Sequence, residues 1–291
     1  MKSAALEYER PTSVSQALAL KRQWGDRASY LAGGQSLMPA INMRLNAAAC
    51  LIDLNRVESM RGIALEGDHL TIGAMTTHAT ILASDLVREH VPVLIEAGRH
   101  LAHTAIRNRG TIGGSLALFD AAAEWPAACI LVDAQIRVEG PDGVRHHPAE
   151  SFVQGLFNRS LGEDELITAI LLPKQRPTDR SVVLELARRQ GDFASAALMA
   201  TISTTAGKPT GLRMVFFGIS DLPRRFQALE SQLLAAIQSG GLAAAADLTR
   251  TALMNENVVA DLYHSVEMKR HLCGVLASRA LRQLLEPETS A

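Results

Sequence analysis

The chain has 291 residues, with 29 lysine and arginine residues against 30 aspartate and glutamate residues and a net charge of −1. A chain of this length can bury a sizeable core and form more than one compact unit, and its balanced charge excludes the strongly basic character typical of nucleic-acid binding. Its three cysteines, Cys50, Cys129 and Cys273, are isolated in the sequence, which argues against a disulfide framework, a structural zinc or an iron–sulfur cluster held by this chain alone.

The N-terminal segment does not have the pattern of a secretory signal. Glu7, Glu9 and Arg10 stand where a signal peptide would place its apolar stretch. No uninterrupted apolar run approaches the roughly 20 residues that a membrane-spanning helix needs. We therefore expect a cytoplasmic protein without a transmembrane segment.

The first elements in chain order are a helix and two buried strands. Pro11–Ser13 introduces a helical pattern that begins at Val14, and Gly25 stands where the helix would end. The predicted strands are Ala28–Leu31, which runs directly into the sequence AGGQS, and Cys50–Leu54. The loop at the end of the first strand is a common kind of position for a ligand site.

The middle of the chain alternates helical and strand patterns around the sequence TIGG. A strand is predicted at Leu70–Gly73, helices at Ala79–Arg88, Val93–Ala102 and Ala121–Leu131 with a break near Pro126, a hairpin at Ile136–His147 and a strand at Leu166–Leu172.

Composition changes after Lys174–Arg180, the best candidate for a domain boundary. Three strand patterns are followed by three helical ones: Val182–Leu186, Ala196–Ser203 and Leu212–Ile219, then Phe226–Ile237, Leu242–Met254 and Val266–Leu285. Three strands followed by three helices predict an α+β unit, with a layer of helices on a small antiparallel sheet.

Two short glycine segments are the strongest candidates for ligand binding. The first glycine segment is AGGQS, Ala32–Ser36, and the second glycine segment is TIGG, Thr111–Gly114. Glycine lets a backbone approach an anion without a Cβ in the way, and Ser36 and Ser115 add hydroxyl donors. Either segment alone is more typical of a structural turn. Together they predict the two halves of one diphosphate-binding site.

Other chemistry-bearing residues lack a matching constellation. His100 and His103 have a spacing that suits metal ligands, but no third ligand is in view, so packing or capping is the better interpretation. Arg107 and Arg109 precede the second glycine segment and either contact an anion or pair with acids and carbonyls. Ser195 has no histidine and aspartate in a triad arrangement. We expect no catalytic residue and no metal site in this chain.

Several runs resemble the flavoprotein medium subunit of the molybdenum hydroxylases, the carbon monoxide dehydrogenase and xanthine dehydrogenase family. They are LAGGQSLMPAINMRL (Leu31–Leu45), LIDLNRVESMRGI (Leu51–Ile63), AHTAIRNRGTIGGSLALFDAAAEWPA (Ala102–Ala127) and LARRQGDFA (Leu186–Ala194). The resemblance covers essentially the whole chain. It implies an α+β fold in which a two-part FAD-binding domain of the PCMH/VAO-like type, residues 1–175 with subdomains of about 1–56 and 57–175, precedes a C-terminal flavoprotein domain, residues 176–291.

The resemblance also implies a set of FAD-binding residues. Carried over residue by residue, they are Ala32, Gly33, Gly34, Gln35, Ser36, Leu37, Thr111, Ile112, Gly113, Gly114, Ser115, Asp120, Glu124, Ile167, Asp192 and Phe193. In the family the glycine segments bind the FAD diphosphate through backbone amides. An acid, preferably Glu124, faces ribityl or ribose hydroxyls, Ile167 packs near the cofactor, and Asp192 and Phe193 border the redox ring. Valine at Gly33 or Gly113 is expected to abolish FAD retention, partly because these residues are taken to need a positive φ.

Two positions depart from the family pattern. Phe119 stands in a stretch after TIGG where relatives have a different order of residues, so it is expected to cover part of the site. Glu185 stands where relatives frequently carry a lysine. The resemblance therefore carries over no cationic contact from this position to the flavin.

The implied function is an electron-transfer subunit of a multi-subunit molybdenum hydroxylase. A large partner would carry the molybdopterin cofactor and a small partner two [2Fe–2S] clusters, in a complex expected to be a dimer of heterotrimers. Two alternatives stay open: a self-sufficient FAD-dependent oxidoreductase, and an interaction subunit without FAD. The first would place an acid, a base or a covalent anchor beside the flavin, and the second would have eroded glycines.

Overall fold

The computed structural model of the protein describes residues 5–155 and 158–286. They form two compact units. The first unit comprises Met1–Val91, His103–Asp120 and Asp133–Lys174, and the second unit comprises Pro92–Ala102, Ala121–Val132 and Gln175–Ala291. Two inner segments thus group with the C-terminal half of the chain. The division into two functional domains, residues 1–175 and 176–291, stays a prediction.

The strands and helices follow one another throughout both units. The strands are β1 (Glu7–Glu9), β2 (Ala28–Leu31), β3 (Cys50–Asp53), β4 (Ile63–Glu66), β5 (His69–Gly73), β6 (Gln135–Gly140), β7 (Gly143–Pro148), β8 (Val153–Gly155), β9 (Asn158–Arg159), β10 (Leu166–Pro173), β11 (Asp179–Leu186), β12 (Ala196–Thr205), β13 (Lys208–Phe217) and β14 (Arg224–Arg225). The helices are α1 (Val14–Trp24), α2 (Leu37–Asn42), α3 (His78–Leu82), α4 (Asp85–His90), α5 (Val93–His100), α6 (Thr104–Arg107), α7 (Ile112–Leu118), α8 (Glu124–Leu131), α9 (Ala149–Phe152), α10 (Gln227–Gln238), α11 (Ala245–Ala252) and α12 (Val266–Leu285).

A small parallel sheet in the first unit carries the first glycine segment. Its strand order is β1-β3-β2, and all four residues of β3 are buried. The register pairs Leu31 with Asp53. The first glycine segment therefore leaves the carboxyl end of β2 beside the end of β3, where parallel strands commonly present ligand-binding loops.

A five-stranded antiparallel sheet forms the rest of the framework of the first unit. Its order is β4-β5-β10-β6-β7, with the largely buried β10 in the centre. The predicted hairpin is confirmed, because β6 and β7 pair directly through the turn at Gly140–Gly143. The amide of Ala74, just after β5, donates to the carbonyl of Thr168 on β10 (3.0 Å), so the chain beyond β5 is also held against this sheet.

The second unit contains the predicted sheet and helices. The antiparallel sheet has the order β11-β12-β13-β14. Buried aliphatic and aromatic side chains of the sheet, including Leu198, Met214 and Phe216, form one core with residues of α12 such as Leu276 and Leu281. This arrangement confirms the α+β fold. None of the helices in residues 5–155 and 158–286 is long and apolar enough to cross a membrane.

Two helix predictions are wrong in detail. The pattern predicted as one helix over Ala79–Arg88 is two helices, α3 and α4, because the Ser84 hydroxyl accepts from the Val87 amide (3.4 Å) and begins a new helix. Conversely, Pro126 does not break α8. It is the third residue of that helix, where the missing N–H has no intrahelical acceptor to lose.

Candidate functional site

The first glycine segment is a sharp turn between β2 and α2. Gly34 has a φ of 74°, in the left-handed region that favours glycine, and its carbonyl accepts from the Met38 amide (3.2 Å). Gly33 is buried, whereas Gln35 and Ser36 are exposed. The segment therefore starts in the protein interior and turns towards solvent.

The amides of this turn have no protein acceptor. Among the residues that the structure describes, the five consecutive amides from Gly33 to Leu37 donate no hydrogen bond to a backbone or side-chain group. The Gln35 side chain instead donates to the Gly33 carbonyl (3.3 Å). Consecutive unpaired amides at an accessible turn form the kind of concavity that binds anions. The turn can bind a phosphate without breaking any contact of its own.

A side-chain network holds the start of the turn. Asn55 donates through Nδ2 to the Ala32 carbonyl (3.1 Å) and to Oδ1 of Asp53 (2.6 Å), and its own Oδ1 accepts from Nη2 of Arg61 (3.1 Å). Asp53 also accepts from the Tyr8 hydroxyl. Burial opposes ionisation of Asp53, but the hydrogen bonds from Tyr8 and Asn55 outweigh it and lower the pKa of the carboxyl. Asn55 thus connects two charged residues, Asp53 and Arg61, to the first glycine segment.

Replacing this asparagine is expected to loosen the turn. Asn55→Ala removes the donor to the Ala32 carbonyl and leaves Asp53 without one of its partners, so we expect about a tenfold loss of cofactor affinity. The measurement is a titration of cofactor into the purified protein. Asn257→Ala, at an exposed position of the second unit, is the control. Unchanged affinity in Asn55→Ala would show that the turn does not need the network.

The second glycine segment begins α7, and its amides are already used. Thr111 accepts through Oγ1 from the Gly114 amide (3.1 Å) and through its carbonyl from the Ser115 amide (3.0 Å). The remaining bonds run from the Ile112 amide to the Thr76 carbonyl (3.2 Å) and from the Gly113 amide to the Ala74 carbonyl (2.9 Å). Among the described residues, Thr111 is therefore the one residue of the second segment whose amide is unpaired. The consecutive unpaired amides all lie in the first segment.

The two glycine segments lie against each other. A Cβ on Gly33 would stand 2.3 Å from the carbonyl oxygen of Arg109 and 2.7 Å from Cα of Gly110, the two residues that precede TIGG. A Cβ on Gly114 would stand 3.5 Å from Cβ of Ala32. The tertiary structure therefore brings together two segments that are distant in the sequence, as the diphosphate hypothesis requires.

The reason expected for two of the glycines is wrong. Neither Gly33 nor Gly113 has a positive φ; Gly34 is the one residue of the two segments that does. A Cβ on Gly113 would meet Cβ of Ala74 at 2.5 Å and its carbonyl oxygen at 2.7 Å. Both glycines are needed because neighbouring backbone occupies the space of a side chain.

Sequence reasoning missed the segment that holds TIGG in place. Residues 74–78 follow β5, and the carbonyls of Thr76 and Ala74 accept from the amides of Ile112 and Gly113. A Cβ on the preceding Gly73 would stand 2.4 Å from the Met60 carbonyl oxygen. The signal that could have found it is a glycine at the end of a predicted strand, followed closely by the hydroxyl residues Thr76 and Thr77.

The other predicted site residues of the first unit have different surroundings. Asp120 is half-buried, whereas Ile167 is buried on β10. The Phe119 side chain is also buried and does not cover the site from solvent. Its φ of 52° ends α7 in a left-handed turn, with its amide donating to the Ser115 carbonyl (2.9 Å).

Three predicted site residues belong to the second unit. Glu124 is buried in the first turn of α8. Asp192 is exposed, and the Phe193 side chain is 63% exposed, which is uncommon for phenylalanine in a chain whose other large side chains are mostly buried. Their roles stay predictions.

Comparison with known proteins places the chain in a family. A family model described as the FAD-binding domain in molybdopterin dehydrogenase matches residues 4–175. The nicotine 6-hydroxylase medium subunit of Paenarthrobacter nicotinovorans is 34% identical over 97% of this chain and 98% of that protein. The carbon monoxide dehydrogenase medium chain of Hydrogenophaga pseudoflava is also 34% identical, over 94% of this chain and 95% of that one.

A solved structure agrees with these sequences. Carbon monoxide dehydrogenase from Hydrogenophaga pseudoflava, in a form lacking the Mo-pyranopterin moiety of the molybdenum cofactor, contains a chain that superposes with a TM-score of 0.91 at 34% identity, covering 97% of this chain and 98% of that one. Fold and sequence agree over nearly the full length, and the family model covers residues 4–175 of the 291. The chain belongs to the FAD-binding medium subunits of the molybdenum hydroxylases and is an oxidoreductase subunit.

Proposed function

We propose that the two glycine segments bind the diphosphate of FAD, and that the chain passes electrons from a partner subunit to an external acceptor. One observation carries the proposal: the run of unpaired amides from Gly33 to Leu37 at an accessible turn, packed against the second glycine segment. A diphosphate supplies acceptors to such amides at no cost in existing hydrogen bonds.

The two segments have different tasks in this proposal. The amides of Gly33, Gly34, Gln35, Ser36 and Leu37 bind phosphate oxygens directly. Ile112 and Gly113 use their amides for Thr76 and Ala74, so the second segment acts as a preorganised wall. It donates to the ligand through the Thr111 amide and the Ser115 hydroxyl.

The remaining site residues are assigned to other parts of the cofactor. Glu124 or Asp120 accepts hydrogen bonds from ribityl or ribose hydroxyls, and Ile167 packs near the cofactor. Asp192 and Phe193 border the isoalloxazine ring. An exposed phenylalanine gains by covering an aromatic ring, since burial of apolar surface stabilises by about 25 cal/mol per Å².

The chain itself needs no general acid or base. When bound, FAD supplies the redox chemistry, since its ring accepts and releases electrons. The residues of this chain position that ring, exclude water from part of it and leave an edge accessible to an acceptor. Intact glycines at both segments argue against a subunit that has lost FAD.

We assign this chain the partners of its family. A large subunit with the molybdopterin cofactor would oxidise the substrate, and a small subunit with two [2Fe–2S] clusters would deliver the electrons. We propose a dimer of heterotrimers in the cytoplasm, with residues 1–175 as the FAD-binding domain and 176–291 as the C-terminal flavoprotein domain. The three cysteines are free and buried, and in this role they pack as small apolar side chains.

The test is spectroscopic and enzymatic. The chain purified with its co-expressed partners is expected to show the visible absorption band of an oxidised flavin and one FAD for each copy of the chain. No flavin band would contradict FAD binding and favour an interaction subunit. Turnover of an organic substrate by the chain without partners would instead show a self-sufficient oxidoreductase.

A further inference from the structure

The His78 imidazole is the base of a three-layer stack that reaches both glycine segments. It lies at the start of α3, and a Cβ on Gly110 would stand 2.5 Å from its Nε2 and 2.8 Å from its Cδ2. The same backbone is also close to the first glycine segment, since a Cβ on Gly33 would stand 2.7 Å from Cα of Gly110. The layers are thus the imidazole, the Arg109–Gly110 backbone and the Gly33 backbone.

Backbone hydrogen bonds fasten the middle layer to the same segment. The His78 amide donates to the Gly110 carbonyl (3.0 Å), and the Ile112 amide donates to the Thr76 carbonyl (3.2 Å). These bonds form an antiparallel bridge between Thr77 and Thr111. The imidazole is therefore held beside Gly110 by its own backbone, and Gly110 in turn contacts the Gly33 backbone.

The stack has no room for adjustment. His78 is 5% exposed, and a buried ring in a closely packed interior cannot move without displacing its neighbours. Burial, with a smaller contribution from the Arg107 charge, lowers the pKa of the His78 imidazole to about 4. The ring is neutral at pH 7, so it acts on the backbone above it through its shape and not through its charge.

We propose that His78 is a positioning residue for FAD: its imidazole sets the height of the Arg109–Gly110 backbone and thereby the separation of the two glycine segments. The inference rests on the proposed function. It explains why the residue before TIGG is glycine although its φ is not positive. No side chain fits between the imidazole and the Gly33 backbone.

The experiment is a double-mutant cycle on the complex purified with its partners. Gly110→Ala places a methyl group where the imidazole lies, and we expect FAD affinity to fall at least about tenfold. His78→Ala removes the imidazole and lowers affinity less. In the variant that carries both substitutions, the new methyl group occupies the vacated space. Its affinity is expected to return to within about threefold of His78→Ala alone.

The readout is the FAD dissociation constant, from titration of the FAD-depleted complex, together with the visible circular dichroism of bound FAD. A merely structural role would lower the unfolding midpoint without changing the circular dichroism of the FAD that remains. Gly241→Ala, where the nearest atom to a Cβ is 3.8 Å away, and His146→Ala, at an exposed position, are the matched controls and should bind FAD normally.

Each outcome decides the inference. Full affinity in Gly110→Ala, or additive losses in the double variant, would overturn it while leaving the proposed function intact. If Gly110→Ala does not assemble, restored assembly in the double variant supports the contact and failure to restore it overturns the contact. Absence of FAD from the wild-type complex would overturn the proposed function, and this inference with it.

Discussion

Gly33→Val is expected to leave the complex with less than about a tenth of its FAD while the chain still folds. The valine Cβ would stand 2.3 Å from the Arg109 carbonyl oxygen and 2.7 Å from Cα of Gly110. Both neighbours are backbone atoms, so the glycine segments must separate by about 1 Å. The diphosphate would then lose its fit to the unpaired amides. FAD per chain, measured by absorbance after gel filtration, checks the result.

A substitution at the neighbouring Gly34 is the best comparison for Gly33→Val, because it lies in the same turn. Gly34→Ala strains a residue with a φ of 74°, but its Cβ would meet the side-chain atoms Cδ1 of Leu31 and Cγ of Met38, each at 3.2 Å. Flexible side chains can give way, so we expect a cost of about 1 kcal/mol and most of the FAD retained. Gly241→Val, in open surroundings, should retain all of it. A larger loss in Gly34→Ala than in Gly33→Val would contradict the close-packing explanation.

Glu185→Gln is expected to make the protein more stable, and the gain should grow with pH. The Glu185 side chain is 3% exposed, and Nδ1 of His100 lies 4.0 Å from its Oε2, which has no hydrogen-bond partner among the described residues. Burial raises the pKa of this carboxyl to about 7. Glutamine has a similar shape and never ionises, so it removes the cost of a buried negative charge.

The direction of the pH dependence follows from the number of protons that the folded and unfolded states bind. The unfolded carboxyl titrates near 4.5, so between that pH and about 7 the folded state binds more protons than the unfolded state. The free energy of unfolding of the wild type therefore falls as pH rises through this range. The gain from Glu185→Gln should increase by about 2 kcal/mol between pH 5 and pH 8. Burial lowers the pKa of His100, but that residue is present in both proteins.

Urea unfolding of the full chain at the two pH values measures the difference. Glu150→Gln removes an exposed carboxylate and should change stability by less than about 0.5 kcal/mol at both pH values. A gain that is equal at pH 5 and pH 8, or a loss at pH 8, would show that Glu185 is ionised and stabilised in the folded chain.

Local patterns in the sequence were sufficient for most of the elements. Residues Ala28–Leu31 form the predicted strand, which leads directly into the glycines of AGGQS, and Val266–Leu285 forms a helix with the predicted bounds. In the two helices predicted wrongly, a single residue decided the outcome. Ser84 caps a second helix where periodicity alone predicted a continuous one, and Pro126 falls in the first turn of α8 where it is tolerated.

The sequence by itself determined the α+β fold class, the two glycine segments and their family, because these follow from periodicity and from motifs with few alternative uses. Only the tertiary structure decided why the glycines are there. Gly33, Gly110 and Gly113 face atoms that are distant in the chain, namely Arg109, His78 and Ala74. The tertiary structure likewise showed that, among the described residues, the run of consecutive unpaired amides belongs to the first segment, with Thr111 alone in the second. Folding brings residues together that are far apart in the chain. The residues next to them in the sequence therefore do not indicate which of them will form a hydrogen bond or a close contact.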